Sequence, residues 1–356
     1  MTANRGLFVR NSGAVGTTPI EGRLVLAAMV AENAPGVPRQ GLLDQRNPTP
    51  VTGHTNMSYN VGPLTVVTNR ATNEGVYMFT LTGTTNVATT AAPGSNSRYD
   101  LIYVKQNDPD KGDTGNTATL AVLQGTAAAS PSKPYGSLPA GAYVLAEALV
   151  QTGATATNGA NVTITQVWKH TALRGVPIPI RNVAERDEIT GALGMELIRL
   201  DCENWKQIHD GTGWKFDGWR RSTAPITWFM GAGTVSRQIA YIGETKPYAR
   251  RVNVYGRLTV YCPSISSGRE EINVVVSAAV TQVGSAQAKS RLNWGPGSSN
   301  SDVNQTASAT AQNVYVGAGG DVMARIWIEV ISGAVSLTPS AGTYSELYFD
   351  YIPEND

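Results

Sequence analysis

The sequence predicts an all-β protein: an N-terminal antiparallel β domain, a short helix plus β-meander neck, and a C-terminal β-sandwich of jelly-roll type. Three observations carry this. Short apolar runs rich in Val, Thr, Leu and Tyr recur between clusters of Gly, Pro, Asn and Asp, the pattern of many short strands joined by turns. The stretch Val176-Pro-Ile-Pro-Ile interrupts them with alternating prolines, which exclude a helix and favour extended chain. Beyond residue 221, apolar and polar residues alternate with period two, as in sheets with one buried and one wet face. At 356 residues the chain has room for two or three domains of roughly 100–200 residues each. The divisions expected are 1–175, 176–220 and 221–356.

In the first block the expected strands are Arg23 to Ala31, Leu64 to Thr68, Gly75 to Leu81, Tyr99 to Lys105, Ala118 to Leu123, Tyr143 to Val150 and Val162 to Trp168. The first of these also has a periodicity open to a helix, and it is read as a strand. In the neck, residues 176–181 read as an extended linker and hinge. Asn182 followed by Glu185 is a capping-box-like start to a helix of about two turns. Met195 to Asp201 then alternates, and Asp210-Gly211 closes a hairpin that leads into Thr212-Gly-Trp-Lys-Phe. In the third block Val252, Val254, Leu258 and Val260 share one face. Val322, Ala324, Ile326, Ile328 and Val330 share another, with Arg325 and Glu329 opposite. Leu347, Phe349 and Tyr351 alternate with Glu346, Tyr348 and Asp350. Two polar stretches, 284–293 and 296–305, read as long loops.

Composition excludes several classes of function. Lys plus Arg is 28 and Asp plus Glu is 27, a net charge of +1, so there is no electrostatic footprint for nucleic acid or an anionic membrane. Two cysteines, Cys202 and Cys262, do not make a disulfide framework. The longest apolar run, Leu24 to Ala31, is far short of the roughly 20 residues of a membrane helix, and no signal peptide opens the chain. The protein is therefore expected to be made in a cytoplasm and to stay soluble, without membrane insertion.

The motifs of catalysis fail in turn. His54, His170 and His209 are scattered, and none is within four residues of another His or a Cys, so no metal pair is spelled out. His170 and His209 read as surface or turn histidines. No nucleophile elbow, phosphate loop or dinucleotide fingerprint occurs. Asp108-Pro-Asp-Lys-Gly-Asp lacks the ligand spacing of a calcium loop and reads as a solvated hairpin tip, with a calcium ion at 108–116 as the alternative. Adjacent Glu270 and Glu271 would face opposite ways on a strand and form no dyad. The expectation is no enzyme, no cofactor and no metal. Trp168, Trp205, Trp214, Trp219 and Trp228 read as packing anchors around the neck. Trp294, in Arg291-Leu-Asn-Trp-Gly-Pro-Gly, is the candidate ligand residue: an indole that stacks on a sugar face while Arg291, Asn293 and Asp302 bind hydroxyls.

Certain residues also resemble a known family. Pro38-Arg-Gln-Gly-Leu-Leu, Pro50-Val-Thr-Gly and Tyr99-Asp-Leu-Ile-Tyr-Val-Lys are similar to the N-terminal half of minor tail proteins of tailed phages. Leu123-Gln-Gly-Thr-Ala-Ala-Ala-Ser-Pro-Ser-Lys-Pro with Leu138-Pro-Ala-Gly-Ala-Tyr-Val-Leu-Ala-Glu resembles the signature of such proteins in phages of actinobacteria. Val183-Ala-Glu-Arg-Asp-Glu-Ile through Trp205-Lys-Gln-Ile-His-Asp-Gly-Thr-Gly-Trp is similar to a module of phage tail fibres. The resemblance covers residues 36–217 and implies a homotrimeric virion component at the tail tip. Its N-terminal half would attach to the baseplate or another tail protein, and its C-terminal domain would meet a polysaccharide of the host surface. The charge balance suits a neutral glycan. A baseplate adaptor whose C-terminal domain binds another tail protein is the alternative, and a glycan depolymerase stands third.

Overall fold

The computed structural model describes residues 16–224, 230–233, 237–261, 270–279, 286–294, 305–332, 335–339 and 345–354. The chain divides into two compact units, Met1–Leu200 with Lys206–Trp214, and Asp201–Trp205 with Lys215–Asp356. Strands dominate both, in several sheets, so the fold is all-β.

Unit 1 opens with helix α1 (Pro19–Met29), where the sequence suggested a strand at 23–31. The deciding signal lies just upstream. The Thr18 hydroxyl accepts from the Glu21 backbone N–H, the Glu21 carboxylate accepts from the Thr18 N–H at 2.8 Å, and Pro19 occupies the first helical position. Then follow β1 (Glu32–Ala34), β2 (Val37–Pro38), β3 (Gly41–Leu43), β4 (Val51–Gly53), β5 (Ser58–Val61), β6 (Leu64–Thr68), β7 (Tyr77–Leu81), β8 (Thr85–Ala88), β9 (Ser97–Gln106), β10 (Ala118–Gln124), β11 (Tyr143–Gln151), β12 (Val162–Gln166) and β13 (His170–Thr171). Four small sheets result: the β1-β2 pair, and the orders β10-β9-β11-β12, β13-β3-β6-β7 and β4-β5-β8. The inward residues of the larger three, among them Leu42, Tyr59, Val66, Ile102 and Leu145, make one core with Trp168, which lies between β12 and β13.

The proline stretch is extended, as its sequence requires, but it is a strand. β14 (Ile178–Ile180) pairs in parallel with β15 (Glu196–Arg199), and Ile178 and Ile180 are buried with Ala31, Ala172, Ile189 and Leu197. Between them lies α2 (Val183–Asp187), with Asn182 as N-cap accepting from the Glu185 N–H at 3.0 Å. β16 (Trp205–His209) and β17 (Trp214–Phe216) complete a four-stranded sheet, β14-β15-β16-β17.

Unit 2 carries β18 (Arg220–Ala224), β19 (Met230–Gly233), β20 (Arg237–Thr245), β21 (Arg250–Tyr261), β22 (Glu270–Ala279), β23 (Ala286–Trp294), β24 (Gln305–Val316), β25 (Asp321–Ser332), β26 (Val335–Pro339) and β27 (Glu346–Pro353). They form two sheets, β18-β27-β21-β26-β19 with β24 also on β21, and β20-β25-β22-β23. β24 lies against β22, and β27 against β25 and β20, so the two sheets face each other as a sandwich. The alternation read from the sequence is what fills it. Val252, Val254, Leu258, Val322, Ala324, Ile326, Ile328 and Phe349 are completely buried, while Arg325, Glu329, Tyr348 and Asp350 on the other faces are not.

Candidate functional site

Arg291, Asn293 and Trp294, expected on a display loop, are residues of β23, in register with Asn273, Glu271 and Glu270 of β22. Most of the expected 284–293 loop is therefore strand, the last of its sheet, and its run of Ala, Gln, Lys and Ser is compatible with strand because β22 supplies the pairing. Asp302 lies outside the described residues. So does most of the 296–305 loop.

The Asp108 to Asp113 segment is a hairpin tip with Pro109, Asp110 and Gly112 exposed, but Asp108 and Asp113 are not free in solvent. A single turn over 109–111, capped by the Asp108 side chain, folds the two carboxylates back onto basic residues. Asp108 is bound by Arg23 at 3.0 Å and by the Tyr77 hydroxyl at 2.5 Å. Asp113 takes Arg70, Lys105 at 2.6 Å and the Asp108 N–H at 2.9 Å. The Arg70 hydrogen bond, then that from Lys105, holds the Asp113 carboxyl far below the usual carboxylate range, and the Tyr77 hydroxyl lowers Asp108. Burial and the bond to Asp108 push Tyr77 up to about 12. Three cations already neutralise these two carboxylates, so the segment is a poor host for calcium. No group of His, Cys, Asp or Glu able to hold a metal occurs among the described residues.

The histidines are dispersed as expected. His54 faces Asn56 Oδ1 at 2.9 Å, and His209 accepts from the Gly211 N–H and packs edge-on to Trp214. His170 is half-buried rather than a surface residue. It sits edge-on to Trp168, and burial lowers its pKa.

The residues of the 123–147 signature come together as a strap on the β9–β11 pair. Gly125 donates its N–H to the Tyr99 carbonyl at 2.7 Å, and a Cβ there would lie 3.1 Å from the Ser132 and Tyr99 carbonyl oxygens. Ala128 bridges Ser97. Lys133 reaches Glu147 Oε2 at 2.6 Å and lies over the Tyr99 ring, while the Tyr135 hydroxyl donates to Glu147 Oε1 at 2.6 Å. Gly141, at φ 80°, turns the chain into β11. The buried Glu147 is thus the clasp of the strap. A second buried group went unread in the sequence: Asp100, wholly buried, accepts from Tyr59 at 3.0 Å, Thr89 at 2.6 Å and Arg98 at 2.8 Å. Its signal is Arg98-Tyr-Asp100, a charge pair at i, i+2 on one strand face.

Unit 1 also holds clefts of about 440, 510 and 550 Å3. The first is walled by Arg39, whose guanidinium is fixed by the His170 carbonyl at 2.8 Å and Asn33 Oδ1 at 2.9 Å, and by the Lys169–Glu188 ion pair. The other two flank Leu173 and Val176; the second is mostly apolar, and the third mixes apolar residues with Glu32, Arg174 and Glu196.

No family model matches the chain, and no curated protein matches it. Among solved structures it is similar to that of infectious bursal disease virus, Gx strain, at 8% identity and a TM-score of 0.22, over 89% of this chain and 75% of the other. A structure of the Gt strain gives 10% identity and a TM-score of 0.20, over 83% of this chain and 57% of the other. Likenesses at these TM-scores carry no argument for fold or function. No helix among the described residues is long and apolar enough to cross a membrane.

Proposed function

We propose that the chain is a structural virion protein of a phage tail tip, a homotrimer that attaches through unit 1 to the baseplate or another tail protein. Unit 2 is held out to a neutral polysaccharide of the host surface, and the protein has no catalytic role. The observation that supports this reading is the strap. The residues that resemble the tail-protein signature, 123–147, fold back onto Ser97 and Tyr99 as one packed device clasped by Lys133, Tyr135 and Glu147. A signature that specifies how a domain is built, with its polar groups spent on one another, suits an assembly module. The glycan part rests on Trp294 with Arg291, Asn293 and Asp302.

Antibodies to the chain should label the tail tip of purified virions, and recombinant protein should compete with them for adsorption. Binding of unit 2 to host-wall fragments should fall severely in Trp294→Ala, since loss of a stacking aromatic at a hot spot costs on the order of 2 kcal/mol or more. Unchanged binding removes the glycan assignment. Virions without the protein at the tail remove the whole reading.

One observation favours the adaptor alternative for unit 2. Arg291, Asn293 and Trp294 belong to a strand that ends its sheet among the described residues, and such an edge is where another chain adds a strand. Retention of adsorption after removal of unit 2, with loss of tail assembly, would select it.

A further inference from the structure

Unit 1 exposes a contiguous apolar belt. Leu173 and Val176, 42% and 54% exposed, form a ridge between the two larger clefts. Leu200, 37% exposed, lines one cleft with Pro177 and Pro179, and Leu193, 79% exposed, lines the other. Met29 adjoins the ridge, its carbonyl accepting from the Arg174 N–H at 2.8 Å. Large apolar side chains grouped in this way on a soluble unit mark an interaction surface.

We propose that this belt is where one copy of the chain packs on another. The inference rests on the assembly part of the function proposed above and names the surface responsible. The rim of the belt says which partner it fits. Three acidic residues on it each carry a basic one: Glu32 with Arg174 at 2.5 Å, Glu196 with Lys206 at 3.2 Å, and Asp44 with Arg46 at 3.5 Å. The two signs are equal in number and interspersed. Such a rim is complementary to itself and gives no advantage to a strongly acidic or basic partner. Exposed pairs of this kind contribute little within one chain, so exchanging partners across an interface costs little. Strand addition is disfavoured, because β14 ends its sheet and Pro177 and Pro179 offer no N–H. The copies therefore meet by side-chain packing, ridge into cleft.

Sedimentation of the full chain at low micromolar concentration tests this. Wild type is expected as a multimer, and Val176→Glu with Leu193→Glu as a single chain with an unchanged circular dichroism spectrum. Two rim variants keep the test valid if that pair fails to fold. Glu32→Lys with Glu196→Lys makes one rim basic, and Arg174→Glu with Lys206→Glu makes the other acidic. Each alone should fall to monomer, and an equimolar mixture should associate again as mixed pairs, since a ring of three would leave one like-charged contact. A wild type that is already monomeric overturns the proposal, as does a multimer indifferent to all three changes. A mixture that stays monomeric overturns the self-complementary rim and points to a foreign partner. None of these outcomes depends on glycan binding or on tail labelling: a monomeric wild type also removes the homotrimer from the proposed function, whereas a multimer indifferent to the changes removes this surface alone.

Discussion

Units 1 and 2 reach the same all-β class by different means. Unit 2 is made of long strands whose apolar residues fall in rows, and among the described residues Arg250 is the charge it buries completely. Unit 1 is made of short strands, several of only two to four residues, joined by long connections. There, groups with at least one buried or nearly buried charge hold separate segments together: Asp100 with Tyr59, Arg23 with Asp108, Arg70 with Asp113, and Glu147 with Lys133. A three-residue strand has little apolar surface to bury, so its loops must be fixed by specific polar bonds. A twelve-residue strand positions itself by pattern. Unit 2 should thus tolerate polar changes on its wet faces, and unit 1 should be brittle at single charges.

The sharpest break in that comparison is Asp100→Ala. It removes the counter-charge of buried Arg98, which keeps the Thr90 and Ala91 carbonyls, and leaves Tyr59 and Thr89 without their acceptor, so unit 1 should lose about 3–5 kcal/mol while unit 2 is unaffected. Phe349→Ala is the counterpart. It opens a cavity in a row of unit 2 and should cost that unit about 3–5 kcal/mol with unit 1 unchanged. Calorimetry of the two variants should shift different transitions, and a common shift would show that the units do not melt independently.

Gly75→Ala should have a smaller effect, roughly 1–3 kcal/mol, confined to unit 1. Gly75 adopts φ 74°, and a Cβ there would lie 2.3 Å from the Arg23 carbonyl carbon, so α1 would have to move. A urea midpoint equal to wild type would mean that α1 shifts freely.

Acid gives the mildest test. The folded-state pKa of Asp113 is depressed below the unfolded value of about 3.9. Its contribution is complete above that value and is lost as the pH falls through it toward the folded pKa. Unit 1's urea midpoint should therefore drop between about pH 4 and pH 2. Asp113→Asn should start lower at neutral pH and depend less on acid over that window. An equal slope in the variant would assign the acid sensitivity to other carboxylates.

The all-β class is legible in the residues alone, because period-two alternation and turn residues are local. The rows at 252–258, 322–328 and 347–351, the N-cap at Asn182 and the turn at Asp210-Gly211 form where their residues say they should. The separation of the histidines is legible in the same way. What tertiary structure decided is which polar residues meet. Asp108 and Asp113 look like a wet loop until Arg23, Arg70, Lys105 and Tyr77 arrive from elsewhere in the chain. Val176-Pro-Ile-Pro-Ile looks like a linker until β15 lies beside it, and 286–294 looks like a loop until β22 does. Helix α1 is an intermediate case: its capping box is written at Thr18 and Glu21, just outside the apolar run that suggested a strand. Hydrogen bonds and ion pairs between residues dozens of positions apart leave no periodicity in a sequence, because their geometry exists only after the sheets have formed.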